Sequence, residues 1–349
     1  MAGGAVQAAI FAAGAVIGGG IATVIVNKRR DASLLPPRPI PVPVPAAAPP
    51  AVVQVDNGGR ARFSEPIRDV GFVQVLPPVL KNGHPGPISD MLVRRAYTAA
   101  YDRRLRHPSW TAEHLNKASL APPPAAANGG DRSKSTFVED ESLPEPFRAK
   151  LKDYFRSGYD RGHMVPAADA KSTQEAMNET FLLSNIAPQV GEGFNRHYWA
   201  YLEDWCRKLT NSFEDVYVFT VPLYLPRQDP DGKWRVTHEV IGSPPNIAVP
   251  THFAKVVLTS KPSSASTPSI RDLSMGAFVL PNAIIPDTAP LTGFIVPVEA
   301  VEKAAGLTLF SDEVKAKAKH ICQSTKCDVT IRRFDDAQKK VKAIGAPKN

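Results

Sequence analysis

The sequence YDRGHM at residues 159–164 opens the segment on which the interpretation of this chain depends. The segment continues through FLLSNIAPQ at residues 181–189 and ends in a helical pattern from Tyr198 to Leu209. It gathers imidazole, amide, carboxylate and guanidinium groups. These groups suit the hydrolysis of a phosphodiester, which requires an activated water, a cation that offsets the charge on the phosphate, and help for the departing oxygen.

His163 is the candidate general base of such a site. An imidazole titrates near neutral pH and is the natural proton acceptor for this role. Arg161 and Gly162 precede it, and a glycine permits an unusual backbone angle or a close approach. The chain has eight histidines, and a single histidine is more often structural, so His163 alone does not define a catalytic site.

Asn195 stands where the helical pattern should begin, after GEGF at residues 191–194. Asn is a good helix N-cap, but its amide oxygen is also a suitable ligand for Mg²⁺, which prefers octahedral oxygen and retains waters when protein ligands are few. Further along the helix, Glu203 and Arg207 form either an exposed ion pair or a pair that contacts a metal-held water and phosphate oxygens. Spacing alone leaves both alternatives open.

Taken together, these motifs resemble those of the DNA/RNA non-specific endonucleases of the ββα-metal class, and in particular of the mitochondrial endonuclease G group and its fungal counterparts. The resemblance extends over roughly residues 72–310. Its central motifs are DRGH at 160–163, SNIAPQ at 184–189, and Asn195 with Trp199, Leu202, Glu203 and Arg207; its outer motifs are YDRR at 101–104, PLYLPR at 222–227, VPTHF at 249–253 and PN at 281–282.

The resemblance implies a role for each catalytic candidate. His163 would activate the attacking water as general base, and Asn195 would be the single direct protein ligand of one Mg²⁺, for which Mn²⁺ can substitute. Glu203 would reach the ion through a water molecule. Arg161 and Arg207 would contact phosphate oxygens.

The same resemblance implies that Asn185 supports the histidine or the metal's surroundings. It further implies that DNA and RNA are both cut, leaving 5′-phosphate and 3′-hydroxyl ends, and that the enzyme works as a homodimer. It places the folded body in the mitochondrial intermembrane space, with residues 5–26 in the inner membrane.

Two positions depart from the family pattern. Val221 stands where relatives usually carry a glycine, which replaces a residue free to take positive φ with a β-branched one, so a local shift of the backbone is expected there. Ser135 stands where bacterial relatives place an arginine near the phosphate. Arg132 and Lys134 are both close enough in sequence to compensate, and the sequence does not choose between them.

The N-terminal part of the chain predicts an anchor and a spacer. Residues 5–26 carry no charge and as a helix would span roughly 33 Å, enough for a hydrocarbon core of about 30 Å. A cleaved targeting peptide is the alternative, although such peptides are Arg-rich. The Pro-rich stretch that follows favours a semi-rigid spacer. We therefore divide the chain into an anchor or targeting segment (1–30), a linker (31–59) and a nuclease domain (60–349).

The cysteine count and the net charge say less about the fold and the partner than the motifs do. Cys206, Cys322 and Cys327 are too few for a disulfide scaffold or a zinc knuckle, and free buried thiols are expected, although Cys322 and Cys327 could pair across a turn. The net charge of +8 favours an anionic partner, either a nucleic acid or a membrane surface.

The pattern of strands and helices predicts an α+β architecture, with a central antiparallel sheet flanked by helices. Strands are expected at 96–101, 109–111, 216–221, 235–241, 253–258 and 276–280, and late helices at 298–305 and 310–321. Two other functions fit less well: a catalytically silent nucleic-acid-binding protein would not need a general base, and a phosphoesterase of small phosphates would not need so basic a surface.

Overall fold

The computed structural model describes residues 87–121 and 129–331. The strands are β1 Ser89–Val93, β2 Tyr97–Asp102, β3 His107–Leu115, β4 Asp160–His163, β5 Ile186–Gln189, β6 Asp215–Leu223, β7 Arg227–Gln228, β8 Trp234–Arg235, β9 Val240–Ile241, β10 Ile247–Ala248, β11 His252–Pro262, β12 Arg271–Pro281, β13 Ile295–Val296 and β14 Lys319–His320. The α-helices are α1 Lys117–Leu120, α2 Leu151–Tyr154, α3 Gln174–Thr180, α4 Trp199–Leu209, α5 Val298–Ala305, α6 Asp312–Lys317 and α7 Ile321–Ser324. A π-helical segment, Gly191–Tyr198, leads into α4, and 3₁₀ turns lie at Arg132–Lys134, Glu145–Phe147, Ala167–Asp169, Leu183–Asn185 and Leu291–Phe294.

The largest sheet has eight strands in the order β1-β2-β3-β6-β11-β12-β13, with β14 also paired to β12. Apart from the parallel pair of β12 and β14, its strands are antiparallel. The longest ladder joins β11 to β12, from His252↔Pro281 to Pro262↔Arg271. The expected α+β fold with a central antiparallel sheet is confirmed.

Both faces of this sheet are covered, and the residues of β11 show how. Phe253 and Val257 belong to an apolar cluster that includes Trp199 and Leu202 of α4. Their strand neighbours Ala254 and Val256 point to the opposite face, into a second cluster that includes Val298 and Val301 of α5. Because successive side chains of a strand alternate between faces, this one strand anchors a helix on each side. Helix α4, which carries Glu203 and Arg207, is fixed by the first cluster.

Two of the expected elements are wrong in extent. Residues 236–239 are not strand, because only Trp234–Arg235 and Val240–Ile241 pair, each with a different partner. The single helix expected at 310–321 is replaced by α6, β14 and α7 in succession. The break follows from Lys319 and His320, which leave the helix and pair with Ser274 and Met275 of β12.

The expectation of free thiols throughout is corrected at one pair. Cys322 and Cys327 form a disulfide across the short turn that follows α7, and only Cys206 is free, buried within α4. The turn brings the two Cα atoms to 5.3 Å, which is within the range that a disulfide spans.

The predicted anchor at 5–26 and the boundaries at 30 and 60 lie outside the described residues. Within residues 87–121 and 129–331, none of the helices has the length and apolar character needed to cross a membrane.

Candidate active site

Strands β4 and β5 form a two-stranded antiparallel sheet, and β5 leads into the π-helical segment and α4. His163 pairs with Ile186 at one end of this sheet, and Asp160 pairs with Gln189 at the other end. Gly162 lies against the Gln189 side chain, where a Cβ atom would come within 2.1 Å of Gln189 Oε1. A larger residue at 162 would push this strand pair apart, which explains the glycine of the DRGH motif.

His163 lies in an aromatic enclosure. Its ring centroid is 4.7 Å from that of Phe181 and 5.3 Å from that of Phe137. The Nε2 atom is buried and has no hydrogen-bond partner. Burial, with the positive charges of Arg132 and Arg161, lowers the pKa of His163 to about 3. The imidazole is therefore neutral at physiological pH and has a nitrogen able to accept a proton.

Asn195, in the π-helical segment, is held by a hydrogen bond to Asp160 at the start of β4. Its Nδ2 donates to Asp160 Oδ2 at 2.9 Å, and Arg196 donates to both oxygens of the same carboxylate. Although partial burial opposes it, these contacts keep the pKa of Asp160 below its usual range, so the carboxylate accepts from Asn195. Because the amide nitrogen is committed to Asp160, the Asn195 oxygen is the atom left for a ligand.

The alternative that Asn195 is a helix N-cap is wrong. The cap position is Val190, and Asn195 lies inside the π-helical segment, where its backbone N–H donates to Val190 O at 2.9 Å. The segment starts with non-helical Glu192 and Gly193. Gly193 has φ of 77°, in the left-handed region that favours glycine. This irregular start turns the chain so that Asn195 faces Asp160.

Arg207 pairs with Asp169, not with Glu203: its Nη1 lies 2.8 Å from Asp169 Oδ1. Burial opposes the charged state, but Asp169 and Glu203 raise the pKa of the guanidinium. Glu203 lies on the same helix, and burial raises the pKa of its carboxyl to about 7 against the opposing effects of Lys255 and Arg207. The alternative of an exposed Glu203–Arg207 pair is therefore wrong.

Behind these two residues lies a buried polar group that sequence analysis did not identify. Lys255 is 1% exposed and donates to Thr220 Oγ1 at 2.7 Å, and its Nζ lies 3.8 Å from Glu113 Oε1. Burial, together with the nearby charge of Asp169, raises the pKa of Glu113 well above its usual range. No periodic signal in the sequence pointed to these charges, since Lys255 falls within the expected strand 253–258 and Glu113 lies just beyond the expected strand 109–111.

Asn185 is fully engaged with the backbone. Its Nδ2 donates to Val165 O at 3.0 Å and Thr180 O at 2.9 Å, and its Oδ1 accepts from Val165 N at 3.1 Å. The side chain therefore fixes the chain just after His163. Asn185 is a positioning residue of the histidine strand.

Arg132 is a residue whose role the sequence left open. It lines a cavity that also contains Asn195 and Arg161, and its guanidinium lies 5.3 Å from the Phe181 ring centroid. Lys134 lies at the end of the same 3₁₀ turn, but its side chain is 71% exposed and faces Asp131. Ser135 donates to Asn178 Oδ1 at 2.7 Å. The structure therefore favours Arg132 as the cation beside the histidine. Its signal in the sequence was only its proximity to Ser135.

Val221, the other departure, lies within β6 and pairs with Ala254 in an uninterrupted ladder. The side chain is fully buried in the second apolar cluster. A β-branched residue suits this extended position, and the backbone of β6 shows no irregularity there.

A cavity of about 490 Å³ opens beside Asn195. Arg132 and Arg161 line it, and neither has a carboxylate partner within 4 Å in the described part of the chain. His163 and Glu203 do not line this cavity. Of the candidate site residues, Arg161 and Asn195 therefore reach this cavity, whereas His163 and Glu203 lie outside its lining.

The residues around Asn195 fit a hard divalent cation. The Asn195 side chain is held in place by Asp160 and lines the cavity. The described residues contain no cluster of three or more His, Cys, Asp or Glu side chains that could enclose a metal. One oxygen ligand completed by water molecules is an arrangement typical of Mg²⁺.

Two antiparallel strands followed by a helix, with a buried histidine, a fixed asparagine and arginines that have no carboxylate partner among the described residues, are the arrangement expected of a nuclease of the ββα-metal type. The sequence matches the DNA/RNA non-specific endonuclease family over residues 77–316, and the chain belongs to this family of metal-dependent nucleases.

Similar proteins agree with this assignment. The chain is 47% identical to Nuclease 1, mitochondrial, of Schizosaccharomyces pombe over 83% of this chain and 85% of the relative. It is 49% identical to the mitochondrial nuclease of Saccharomyces cerevisiae, over 77% of this chain and 81% of the relative. A solved structure of EndoG in complex with EndoGI superposes with a TM-score of 0.61 at 44% identity, covering 69% of this chain and 94% of the other. The names of the two fungal relatives support a mitochondrial location.

Proposed function

We propose that this nuclease hydrolyses DNA and RNA with one Mg²⁺, for which Mn²⁺ can substitute, and with His163 as general base, leaving 5′-phosphate and 3′-hydroxyl ends. The observation that carries the proposal is the buried His163 ring, with an unpartnered Nε2, on the same strand as Asp160, the carboxylate that fixes Asn195 beside the arginines of the cavity. Asn195 would hold the ion directly, and Glu203 would hold it through a water molecule.

Burial of the ring is the main reason why the pKa of His163 is low in the free enzyme, and the positive charges of Arg132 and Arg161 lower it further. A phosphodiester bound between these arginines brings negative charge that offsets theirs. The substrate thereby increases the basicity of His163 when a proton must be accepted. Arg161 and Arg207 contact phosphate oxygens, and Arg132 takes the place of the arginine found in bacterial relatives. A bound Mg²⁺ supplies charge stabilisation at the phosphate and at the departing oxygen.

The test is cleavage of plasmid DNA and of RNA by the full-length chain, with Mg²⁺, Mn²⁺ or EDTA, beside His163→Ala and His114→Ala. His114 is the matched control, because it lies on β3 and pairs with Asp215 at the surface. We expect cutting of both substrates with either ion, none with EDTA, no cutting by His163→Ala, and normal cutting by His114→Ala.

The end groups are read by ligation of the products without prior phosphorylation, which requires a 5′-phosphate. Binding of DNA without cleavage under any divalent ion would instead identify a catalytically silent protein. Cleavage insensitive to ionic strength, with small phosphodiesters preferred, would identify a different phosphoesterase.

We further propose a homodimer in the mitochondrial intermembrane space, held to the inner membrane by residues 5–26. The mitochondrial names of the fungal relatives support the compartment, and the uncharged stretch supports the anchor. Sedimentation of the detergent-solubilised full chain measures the oligomeric state. In isolated mitochondria, the chain should resist carbonate extraction and become accessible to protease once the outer membrane is ruptured.

A further inference from the structure

The cavity beside Asn195 is lined by two chemically different kinds of residue. Four arginines contribute positive charge, and the remaining lining is mostly aromatic and apolar, with Phe137, Leu151, Tyr154, Phe155 and Tyr159. The two kinds are interleaved, since the guanidinium of Arg161 lies 4.4 Å from the Phe137 ring centroid. A nucleotide likewise joins a charged phosphate to a flat apolar base, so the cavity is suited to one nucleotide unit.

Phe155 is an aromatic residue of this cavity that is largely exposed to solvent. Its side chain is 72% exposed, although burial of an aromatic ring is favourable by a few kcal/mol. The guanidinium of Arg156 lies 5.0 Å from the ring centroid. Within residues 87–121 and 129–331, Arg156 has no carboxylate within ion-pair distance. An exposed ring and an uncompensated cation are thus presented side by side.

The backbone holds this pair in a defined place. Arg156 has φ of 55°, a left-handed conformation that is uncommon for a residue other than glycine. Strain of this kind is often retained at functional sites. The turn is closed by hydrogen bonds from Ser157 N to Tyr154 O and from Tyr159 N to Ser157 Oγ. Strand β4, with Asp160 and His163, begins only four residues after Arg156.

We propose that Phe155 and Arg156 form a nucleotide subsite that flanks the reacting phosphate: the Phe155 ring stacks on the neighbouring nucleobase, and Arg156 contacts the phosphate of that nucleotide. The inference deepens the proposed function and rests on it. Every nucleobase has a π-face, so stacking favours no particular sequence. The subsite accordingly requires that a base be present and is indifferent to which base it is.

The experiment uses the full-length chain and a set of single-stranded DNA oligonucleotides, each with one tetrahydrofuran abasic position moved along the strand. Cleavage at every phosphate is read on a sequencing gel. For the wild-type chain, we expect one phosphate to be cut more slowly, always at the same number of nucleotides from the abasic position. Its kcat/KM should fall roughly 5- to 100-fold, the range expected for the loss of one base–aromatic stack.

Three variants separate stacking from other causes. Phe155→Ala should cut the intact oligonucleotide more slowly by a similar factor and should show no further loss at the abasic position, because the stack is already absent. Phe155→Trp should restore both the rate on the intact strand and the loss of cleavage at the phosphate near the abasic position. Trp234→Ala is the matched control, because Trp234 is 54% exposed and does not line the cavity. It should behave as the wild-type chain does.

Arg156→Gln tests the second half of the subsite. It should reduce the slope of log KM against log salt concentration by about one, the effect of losing one phosphate contact. The loss of cleavage near the abasic position should remain. The proposal is overturned if Phe155→Ala loses as much cleavage near the abasic position as the wild-type chain does. It is also overturned if the wild-type chain cuts abasic and intact strands alike. Failure of the proposed nuclease function has a different signature, since the wild-type chain would then cut none of the oligonucleotides.

Discussion

Arg207 Nη1 lies 2.8 Å from Asp169 Oδ1, and this ion pair joins the last turn of α4 to the 3₁₀ turn that follows the catalytic strand. The Asp169 side chain is 2% exposed, and that of Arg207 is 19% exposed. A pair so shielded from water holds its geometry far better than a surface pair, which contributes little. The contact therefore sets where the guanidinium of Arg207 points.

The first prediction follows from that contact. Asp169→Asn should lower kcat on DNA by roughly 10- to 100-fold, the scale of a lost hydrogen bond to a charged group, because Arg207 is no longer held. KM should change much less, since Asp169 itself does not reach the substrate. Steady-state kinetics on an oligonucleotide would measure this split.

Lys208→Met is the control for that measurement. Lys208 lies on the same helix and pairs with Asp204 at 2.9 Å, but it is 39% exposed, so its loss should change kcat by less than about twofold. If Asp169→Asn raised KM and left kcat unchanged, Asp169 would not position a catalytic group.

The second prediction concerns Asp160 as the residue that orients Asn195. Asp160→Ala should raise the Mg²⁺ concentration needed for half-maximal activity by about 10- to 100-fold, the usual loss when a residue behind a metal ligand is removed. Activity at saturating Mg²⁺ should recover in large part. Titration of Mg²⁺ at fixed substrate gives both quantities.

Glu192→Gln provides the comparison, because Glu192 is an exposed carboxylate in the same π-helical segment. Removing its charge should leave the Mg²⁺ requirement within about twofold of the wild-type chain. Equal effects of the two substitutions would mean that local negative charge, and not the Asn195–Asp160 hydrogen bond, governs metal affinity.

The fold class was predictable from the sequence, and the candidate catalytic residues, which stay predictions, were identified because their signals are local. DRGH is a short run on one strand, and Asn195, Glu203 and Arg207 follow a helical period. The partner of Arg207 was not predictable in this way. Asp169 is distant in sequence, and the nearer Glu203 offered a simpler i, i+4 pairing. Glu113 and Lys255 were missed because buried charges in strands give no periodic signal.

The late part of the chain shows a second kind of limit. The apolar spacing of residues 310–321 fits one helix, but Lys319 and His320 gain backbone hydrogen bonds by joining β12. The same rearrangement closes the turn in which Cys322 and Cys327 pair. Tertiary pairing outweighed helix propensity, which amounts to a few tenths of a kcal/mol for most residues.

The third prediction separates Arg132 from Lys134. Arg132→Ala should lower kcat/KM by about 100-fold, because its guanidinium lines the cavity and acts on the ring of His163, and charged groups at a reacting phosphate have effects of this size. Lys134→Ala should stay within about twofold, since the lysine is 71% exposed. Parallel kinetics of the two variants decide between them, and a larger loss for Lys134→Ala would reverse the assignment.

The last prediction is a pH dependence of stability caused by His107. Burial lowers the pKa of this histidine to about 4, although its hydrogen bond to Pro108 O opposes the effect. The ring donates from Nδ1 to Pro108 O and accepts at Nε2 from Tyr224 Oη at 2.6 Å, an arrangement that requires the neutral form.

In the unfolded chain the same histidine titrates near its usual value of about 6.5. The unfolded state therefore binds more protons than the folded state as the pH falls below about 6.5. This contribution to stability is complete above that pH and is lost as the pH falls toward 4, by about 3 kcal/mol in total. His107→Gln cannot titrate, so the difference between its free energy of unfolding and that of the wild-type chain should shrink over this interval and stay constant above pH 7. Urea unfolding of both proteins at several pH values measures the difference, and curves that remain parallel down to pH 4.5 would show that His107 is not the group responsible.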